Sequence, residues 1–272
     1  MTTLVYDIET IPDLDGARLI LNLPEASDSE IYAAMSAKRL EKNQNPDFWS
    51  HHLQKIVAIS VVVAQDDHQG NQSNQSNQIS PIKVWSLGEL NSPEAEIIER
   101  FFKGIEKYKP TLVSWNGSGF DLPVLHYRSL IHKIQAPQYW ELGQNQPDFR
   151  WNNYLSRYHL RHMDLMDILS AYQGRAVAPL DEIAKLLGCP GKQILSGHGV
   201  WEAYKAGELE NIRHYCEIDV LNTYLVFLRF EYLRGVLSAE TYQQRYLALK
   251  NYLNNNEKQH LVDFGHDLPE NY

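Results

Sequence analysis

The chain has 272 residues, of which 43% are hydrophobic and 22% charged, and its formal net charge is −9 at pH 7. This length and apolar content predict a globular protein of one large domain or two small ones. The negative charge argues against broad, salt-driven binding to duplex nucleic acid, which requires a basic face. Cys189 and Cys216 are the two cysteines of the sequence, too few for a disulfide framework. The sequence has no long apolar run and no basic leader, so we expect a cytoplasmic protein without membrane spans.

The first predicted element is a strand over about residues 4–9, within the sequence LVYDIET. It carries Asp7 and Glu9 two residues apart, and the period of a strand turns both side chains to one face. Two neighbouring carboxylates repel each other, and burying either without a partner is costly. A divalent cation is the natural compensation, so this pair is predicted to be half of a metal site.

The rest of the pattern predicts an antiparallel meander of strands, followed by alternating strands and helices, with no strong linker between domains. The fold class expected from this order is α/β, with a mixed sheet flanked by helices. Residues 11–50 resemble an insertion with one helix over about 27–42, and the polar repeat at 69–78 is predicted to be a hairpin loop. Further strands are predicted over 55–64, 82–87, 111–115 and 159–163, and further helices after Ser92–Pro93 and over 120–133, 165–172, 180–187, 208–234 and 239–254.

A second polar motif, WNGSGFD, joins a predicted strand to a predicted helix and contains Asn116 and Asp121. The two glycines between them permit a sharp turn and the close approach of a ligand. The alternative for Asp121 is a helix-capping residue, which suits the helix dipole.

A third motif, HYCEID, lies in the long predicted helix and places Tyr215 and Asp219 four residues apart. Residues at that spacing share one helix face, beside an apolar stripe that contains Ile212, Cys216 and Val220. The alternative is a local hydrogen bond at the surface. Cys216 itself is interpreted as a small buried apolar residue.

In this order, the three motifs resemble the exonuclease motifs of the DEDD (DnaQ-like) superfamily, whose fold is ribonuclease H-like. The phrases YDIET, SWNGSGFDLPVL, HMDLMDIL and HYCEIDVLNTYLVFLRF are similar to stand-alone predicted 3′–5′ exonucleases related to the exonuclease domain of family-B DNA polymerases. Tyr215 in the third motif indicates the tyrosine subclass. The resemblance covers about residues 1–235, and residues 236–272 are expected to form a C-terminal helix and tail packed on the same domain.

The resemblance implies that Asp7, Glu9, Asp121 and Asp219 bind two divalent ions. Asp7 is implied to bridge both ions, Glu9 and Asp219 to complete the ligands of the first, and Asp121 to hold the second. Oxygen ligands favour Mg²⁺ or Mn²⁺ over zinc. Tyr215 is implied to orient the attacking water rather than to remove its proton, because a free tyrosine has a pKa near 10.

Substrate contacts are implied for Thr10, Ile11, Asn116 and Phe120, although a turn threonine and a core phenylalanine are equally good explanations. Asp164 and Asp167 are interpreted as a helix start, and His162, His198 and His214 lack the spacing of a metal site. The stretch at 149–162 interleaves aromatic residues with arginines, which is typical of a single-strand contact surface or of a loop packed on its own aromatics.

The predicted function is therefore a metal-dependent 3′–5′ exonuclease that releases nucleoside monophosphates from single-stranded DNA ends by two-metal hydrolysis. RNA or oligoribonucleotides are an alternative substrate. The alternatives of another class are a catalytically silent nucleic-acid-binding module and a protein whose acidic cluster holds structural calcium. Too few residues follow Asp219 for a polymerase palm, so no polymerase is expected on the same chain.

Overall fold

The computed structural model describes residues 2–46, 48–65, 82–191 and 199–270. Its central feature is a five-stranded sheet in the order β3-β2-β1-β4-β5. β1 pairs antiparallel with β2 and β2 antiparallel with β3, whereas β1–β4 and β4–β5 are parallel. This mixed sheet confirms the predicted α/β class. The strands are β1 (Thr2–Pro12), β2 (Gln54–Gln65), β3 (Ile82–Ser86), β4 (Thr111–Ser114) and β5 (His162–Asp164).

Helices cover both faces of this sheet, because the strands carry apolar side chains on both sides. On one face Val5 of β1 packs into a core shared with much of the long helix α8, and on the other Leu4, Tyr6 and Ile8 pack against α3 and α4. The helices are α1 (Leu14–Leu21), α2 (Asp28–Leu40), α3 (Glu94–Tyr108), α4 (Asp121–His132), α5 (Leu165–Leu169), α6 (Leu180–Leu186), α7 (Gly199–Lys205), α8 (Leu209–Leu233), α9 (Ala239–Asn254) and α10 (Gln259–Asp267).

The C-terminal region contains one helix more than the sequence predicts. After α9, which has the predicted bounds and is capped by Ser238, the chain forms α10. Leu261 and Phe264 of α10 are fully buried in the same core as α8. Because these two apolar residues are set among polar ones in a short segment, their pattern is too weak to predict a helix.

Four other helices differ from what the sequence predicts. α1 and α7 were not predicted. α3 begins at Glu94, with Pro93 rather than Ser92 as its N-cap. The hydroxyl of Ser92 accepts a hydrogen bond from the amide of Glu89. α5 ends at Leu169 because Ala171 and Tyr172 both adopt a left-handed backbone conformation. The polar repeat at 69–78 and His198 lie outside the described residues.

Two buried charge clusters join elements that are distant in sequence. Arg128 of α4, only 4% exposed, donates to both carboxylate oxygens of Glu94 on α3 and to Asp13, which caps α1. Glu217 of α8, 1% exposed, accepts hydrogen bonds from β3 and from Lys258 and His260 at the start of α10. These clusters tie the helices to each other and to the sheet.

No helix among the described residues has both the length and the apolar character that crossing a bilayer requires.

Candidate active site

β1 presents two acidic side chains to the face of the sheet that α8 covers. Val5 lies in the α8 core, and Ile11 packs with Tyr215 and Cys216 of that helix. Since alternate residues of a strand share a face, Asp7 and Glu9 lie between these two anchoring residues and point towards α8. The pairing of β1 with β2 shifts register between Glu9 and Thr10, immediately after the acidic pair.

α8 brings its polar residues to this acidic pair from a buried position. Tyr215, Cys216 and Asp219 are 6%, 0% and 5% exposed. The Cys216 thiol lies 3.4 Å from the carbonyl oxygen of Asp7 and 3.6 Å from its Oδ2. One ligand atom from each of Asp7, Glu9 and Cys216 lies within 4.8 Å of the others. The interpretation of Cys216 as only a small buried residue therefore missed its contact with the acidic pair.

The carboxylates of the site raise the pKa values of Tyr215 and Cys216, the two neutral groups beside them. Burial raises the pKa of Tyr215 far above its ordinary value, and the nearby charges of Asp219, Glu9 and Asp7 raise it further. The pKa of Cys216 is raised by burial and then by Asp7 and Glu9. Both groups are therefore neutral near pH 7, and the carboxylates of Asp7, Glu9 and Asp219 lie close enough to the phenol to act on its pKa.

Asp121 approaches the same strand from the start of α4. Its Oδ1 accepts a 3.2 Å hydrogen bond from the amide of Ile8, the residue between Asp7 and Glu9. Burial raises its pKa to about 7, with a further contribution from the charge of Asp164. A cation beside this carboxyl favours the ionised form of Asp121, which is the form that binds a metal. The position of Asp121 therefore suits a metal ligand.

The turn before Asp121 is held by Asp164, the N-cap of α5. Its carboxylate accepts the amides of Met166 and Asp167 at the start of α5, as the sequence predicts for a helix start. It also accepts the amides of Asn116 at 2.9 Å and Ser118 at 2.8 Å, contacts that the sequence did not predict. Asp164 therefore positions the turn that carries Asp121.

The residues of this turn explain the first of the two glycines in the motif. Asn116, rather than a glycine, adopts the left-handed conformation, with φ of 63°. A Cβ on Gly117 would lie 2.3 Å from the hydroxyl of Ser114 and 2.8 Å from that of Tyr6. A side chain there would displace the turn, so this glycine is required for close approach to the strands.

The predicted substrate-binding residues lie in different surroundings. The hydroxyl of Thr10 donates to Gln54, and Phe120 is partly buried against Phe48, with their ring centroids 5.5 Å apart. Ile11 is 3% exposed, so its side chain has a packing role. Thr10, Asn116 and Phe120 are at most partly buried, and their contact with substrate stays a prediction.

The histidines considered in the sequence have other partners. His162 is buried and shares hydrogen bonds with Tyr6 and Ser114, and burial lowers its pKa to about 4. His214 stacks on His260 with ring centroids 3.8 Å apart. Both contacts explain these residues without a metal ion.

The donor set of the site fits a hard divalent cation. Carboxylate oxygens dominate it, and the one thiol close to them is held in its neutral form by burial. Mg²⁺ and Mn²⁺ prefer such oxygen ligands, whereas zinc sites are usually built from thiolate and imidazole. A cation also offsets the repulsion between the clustered carboxylates.

Together, these features define an α/β protein with an acidic centre between its central strand and a 25-residue helix. The sequence model of one protein family matches residues 46–268. This family is described as predicted 3′–5′ exonucleases related to the exonuclease domain of PolB, and the chain belongs to it. The matched range includes Asp121, Tyr215 and Asp219 as well as α9 and α10, and it begins after Asp7 and Glu9.

Two curated relatives and one solved structure are similar to parts of this chain or to its fold. The chain is 26% identical over 157 residues to a DNA polymerase of Pyrococcus glycovorans and 26% identical over 140 residues to one of Archaeoglobus fulgidus. These matches cover 55% and 50% of this chain but only 20% and 17% of the polymerases. The family B DNA polymerase of Pyrobaculum calidifontis is similar at a TM-score of 0.48 and 15% identity, over 97% of this chain and 27% of that one.

Proposed function

We propose that this protein is a metal-dependent 3′–5′ exonuclease that releases nucleoside monophosphates from single-stranded DNA ends. Membership of a family of predicted exonucleases supports the reaction class. The observation that carries the proposal is the meeting of Asp7 and Glu9 of β1 with the Tyr215–Asp219 face of α8. DNA is the first choice of substrate because the curated relatives are DNA polymerases.

The proposed ligands of two divalent cations are Asp7, Glu9, Asp121 and Asp219. When bound, Mg²⁺ or Mn²⁺ ions lower the pKa of water and stabilise the negative charge that develops during phosphodiester hydrolysis. One carboxylate oxygen of Asp7 lies within 4.8 Å of one of Glu9, and the next residue, Ile8, donates its amide to Asp121. These contacts support the proposal that Asp7 would bridge the two cations.

Tyr215 is proposed to orient the attacking water. Its raised pKa keeps the phenol protonated, so it can donate a hydrogen bond but cannot act as a general base near pH 7. Holding the nucleophile in line with the phosphorus lowers the entropic part of the barrier. Thr10, Asn116 and Phe120 are proposed to contact the terminal nucleotide from the edge of the site.

The proposal is tested by incubating the protein with matched single-stranded DNA and RNA oligomers, labelled at the 5′ end, in Mg²⁺ or Mn²⁺. A ladder that shortens one nucleotide at a time from the 3′ end is the expected result. Retarded migration without shortening supports the binding module instead, and faster shortening of RNA reverses the choice of substrate.

The matched variants for this assay are Asp219→Asn and Asp15→Asn. Both replace an aspartate by its amide, but Asp219 is 5% exposed in the site and the Asp15 side chain is 89% exposed on α1. We expect loss of the ladder only in Asp219→Asn. Equal activity of the two variants contradicts the proposed site.

A further inference from the structure

Phe48 is an exposed aromatic residue that lies outside the three sequence motifs. It follows α2 and precedes the short 3₁₀ turn His51–Leu53, and 43% of its surface is exposed. Its ring centroid lies 5.5 Å from that of Phe120, and the two ring planes are tilted by 44°. Rings in direct contact leave no space for a third ring between them. A flat ligand can therefore reach only the part of Phe48 that faces solvent.

Two side chains hold the ring of Phe48 beside the turn that carries Asp121. One is Phe120, the residue immediately before Asp121. The other is His51, whose ring is edge-on to Phe48 at a centroid distance of 6.5 Å and whose Nε2 lies 2.9 Å from the carbonyl oxygen of Gly119. Because a carbonyl oxygen only accepts, His51 donates this hydrogen bond. The ring of Phe48 is thus fixed at the Asp121 end of the proposed active site.

A separate pair of hydrogen bonds joins the backbone next to Phe48 to β1. Gln54, which is 6% exposed, donates from Nε2 to the carbonyl oxygen of Trp49 at 3.0 Å. Its Oε1 accepts the hydroxyl of Thr10, also at 3.0 Å. Trp49 follows Phe48 and is fully buried, and Thr10 follows Glu9. The segment that carries Phe48 is therefore also fixed at the residue beside Glu9, independently of the ring contacts.

We propose that Phe48 stacks on the base of the nucleotide being released. This inference rests on the proposed function and adds to it a base-binding residue from outside the three motifs. A base is joined to its phosphate through a single sugar, so the base of a nucleotide held at the proposed cations lies near the residues beside Glu9 and Asp121. Phe48 is fixed to both of these neighbours and keeps an accessible ring. Stacking accepts any base, because every base has a π-face.

The test compares two octadeoxynucleotides, one that ends in adenine and one whose 3′-terminal residue is an abasic tetrahydrofuran. Phe48→Leu keeps an apolar side chain against Phe120 but removes the ring, whereas Phe48→Tyr keeps the ring. For the first cleavage, Phe48→Leu should lower kcat/KM on the adenine-ended strand about fivefold or more, the smallest loss expected for one stacked base. It should leave kcat/KM on the abasic-ended strand unchanged, and Phe48→Tyr should match the wild type on both strands.

The control is Tyr108→Leu. Tyr108 is 44% exposed, close to the value for Phe48, but it lies just before the start of β4, whereas Asp121 follows the end of that strand. This variant should match the wild type on both strands. Equal losses of Phe48→Leu on the two strands, no loss on either, or an equal loss in Phe48→Tyr overturns the inference while leaving the nuclease proposal intact.

A binding measurement keeps the inference testable if the wild type cleaves neither strand, the outcome that contradicts the proposed function. The two octadeoxynucleotides, labelled at the 5′ end, are titrated with protein in Ca²⁺ and followed by fluorescence anisotropy. The adenine-ended strand should bind about fivefold or more tightly than the abasic-ended strand. This difference should be lost in Phe48→Leu and kept in Tyr108→Leu. Equal affinities in the wild type, no measurable binding, or a difference that Phe48→Leu leaves unchanged overturns the inference.

Discussion

At the scale of the residue, Tyr215 is predicted to orient the attacking water without binding the metal ions. Tyr215→Phe keeps the ring but removes the hydroxyl, so we expect kcat to fall by about 100-fold, the cost of a misplaced nucleophile, with Mn²⁺ affinity retained. Asp219→Ala should lose both activity and metal affinity. Isothermal titration with Mn²⁺ and the oligonucleotide assay measure the two quantities.

Tyr108→Phe, at a half-exposed position on α3, is the control for the loss of a tyrosine hydroxyl. It should match the wild type in both measurements. Equal Mn²⁺ affinity in wild type and Asp219→Ala contradicts the assignment of Asp219 as a ligand.

Cys216 is predicted to orient Asp7, because its thiol contacts both the carbonyl and the carboxylate of that residue. Cys216→Ala should weaken Mn²⁺ binding by about tenfold, as the loss of a group that orients a ligand does, and Cys216→Ser should restore part of the affinity. Cys189→Ala is the control, since Cys189 is also a buried cysteine but packs in the α8 core. Loss of affinity in both alanine variants points to a general packing defect.

The sequence predicted the placement of the candidate site residues on their elements better than their contacts. The strand period put Asp7 and Glu9 on one face, and the helical spacing put Tyr215 and Asp219 on one face, because both signals are local. The contact between Cys216 and Asp7 joins residues 209 positions apart, and no local pattern contains it. The same is true of Asp164, whose capping role was visible but whose bonds to the turn at 116–118 were not.

At the scale of the element, Arg128 links α4 to α3 and to the start of α1. Arg128→Ala removes the guanidinium that pairs with Glu94, a carboxylate that is only 8% exposed. Because a buried charge is then left without this partner, we expect a loss of about 3–5 kcal/mol in the free energy of unfolding. Urea unfolding followed by circular dichroism measures this loss. Arg100→Ala, which breaks an exposed pair on α3, should cost less than about 1 kcal/mol, and similar losses in the two variants contradict the prediction.

Glu217 joins α8 to β3 and α10, and its contribution depends on pH. Burial raises its pKa, but hydrogen bonds from His260 and Lys258 outweigh this and lower it to about 2. Because the folded-state pKa is below the ordinary value, the stabilisation is complete above about pH 5 and is lost as the pH falls towards 2. Its size is on the order of 3 kcal/mol.

Glu217→Gln should therefore destabilise the protein at pH 7 and much less at pH 3, relative to the wild type at the same pH. Urea unfolding at the two pH values measures the difference. Glu210→Gln, whose side chain is 70% exposed on the same helix, is the control and should change stability little at either pH. A Glu217→Gln effect that is the same at both pH values contradicts the assignment.

Long elements with a clear period were predictable, and several of the short ones were not. The pattern placed α8 within one residue of its observed ends and α9 at its observed bounds. α1, α7 and α10 have nine residues or fewer, too few for a helical period to stand out from its polar neighbours. Tertiary packing, as at Phe264, determines whether such segments form helices.

At the scale of the whole molecule, α9 and α10 share one core with the sheet and α8. We therefore expect the C-terminal region to unfold together with the rest. Phe264→Ala, in a fully buried position of α10, should lower the free energy of unfolding by about 3–5 kcal/mol in one cooperative transition. Tryptophan fluorescence and far-UV circular dichroism should report the same midpoint.

The control for this prediction is Leu233→Ala at the end of α8, where the side chain is 72% exposed. It should leave the midpoint nearly unchanged. Two separate transitions in the wild type or in Phe264→Ala contradict a single folding unit and favour a separate C-terminal domain.

The proposed catalytic centre joins the beginning of the chain to its last third. Asp7 meets Cys216, which lies 209 positions further along the chain, so the ribosome has to synthesise the chain from β1 into α8 before the centre can exist. Closing a loop of that length is slow and entropically costly. A nascent chain therefore holds its first acidic pair exposed and inactive, and we expect the hydrolysis of nucleic acid to begin only after synthesis of the long helix.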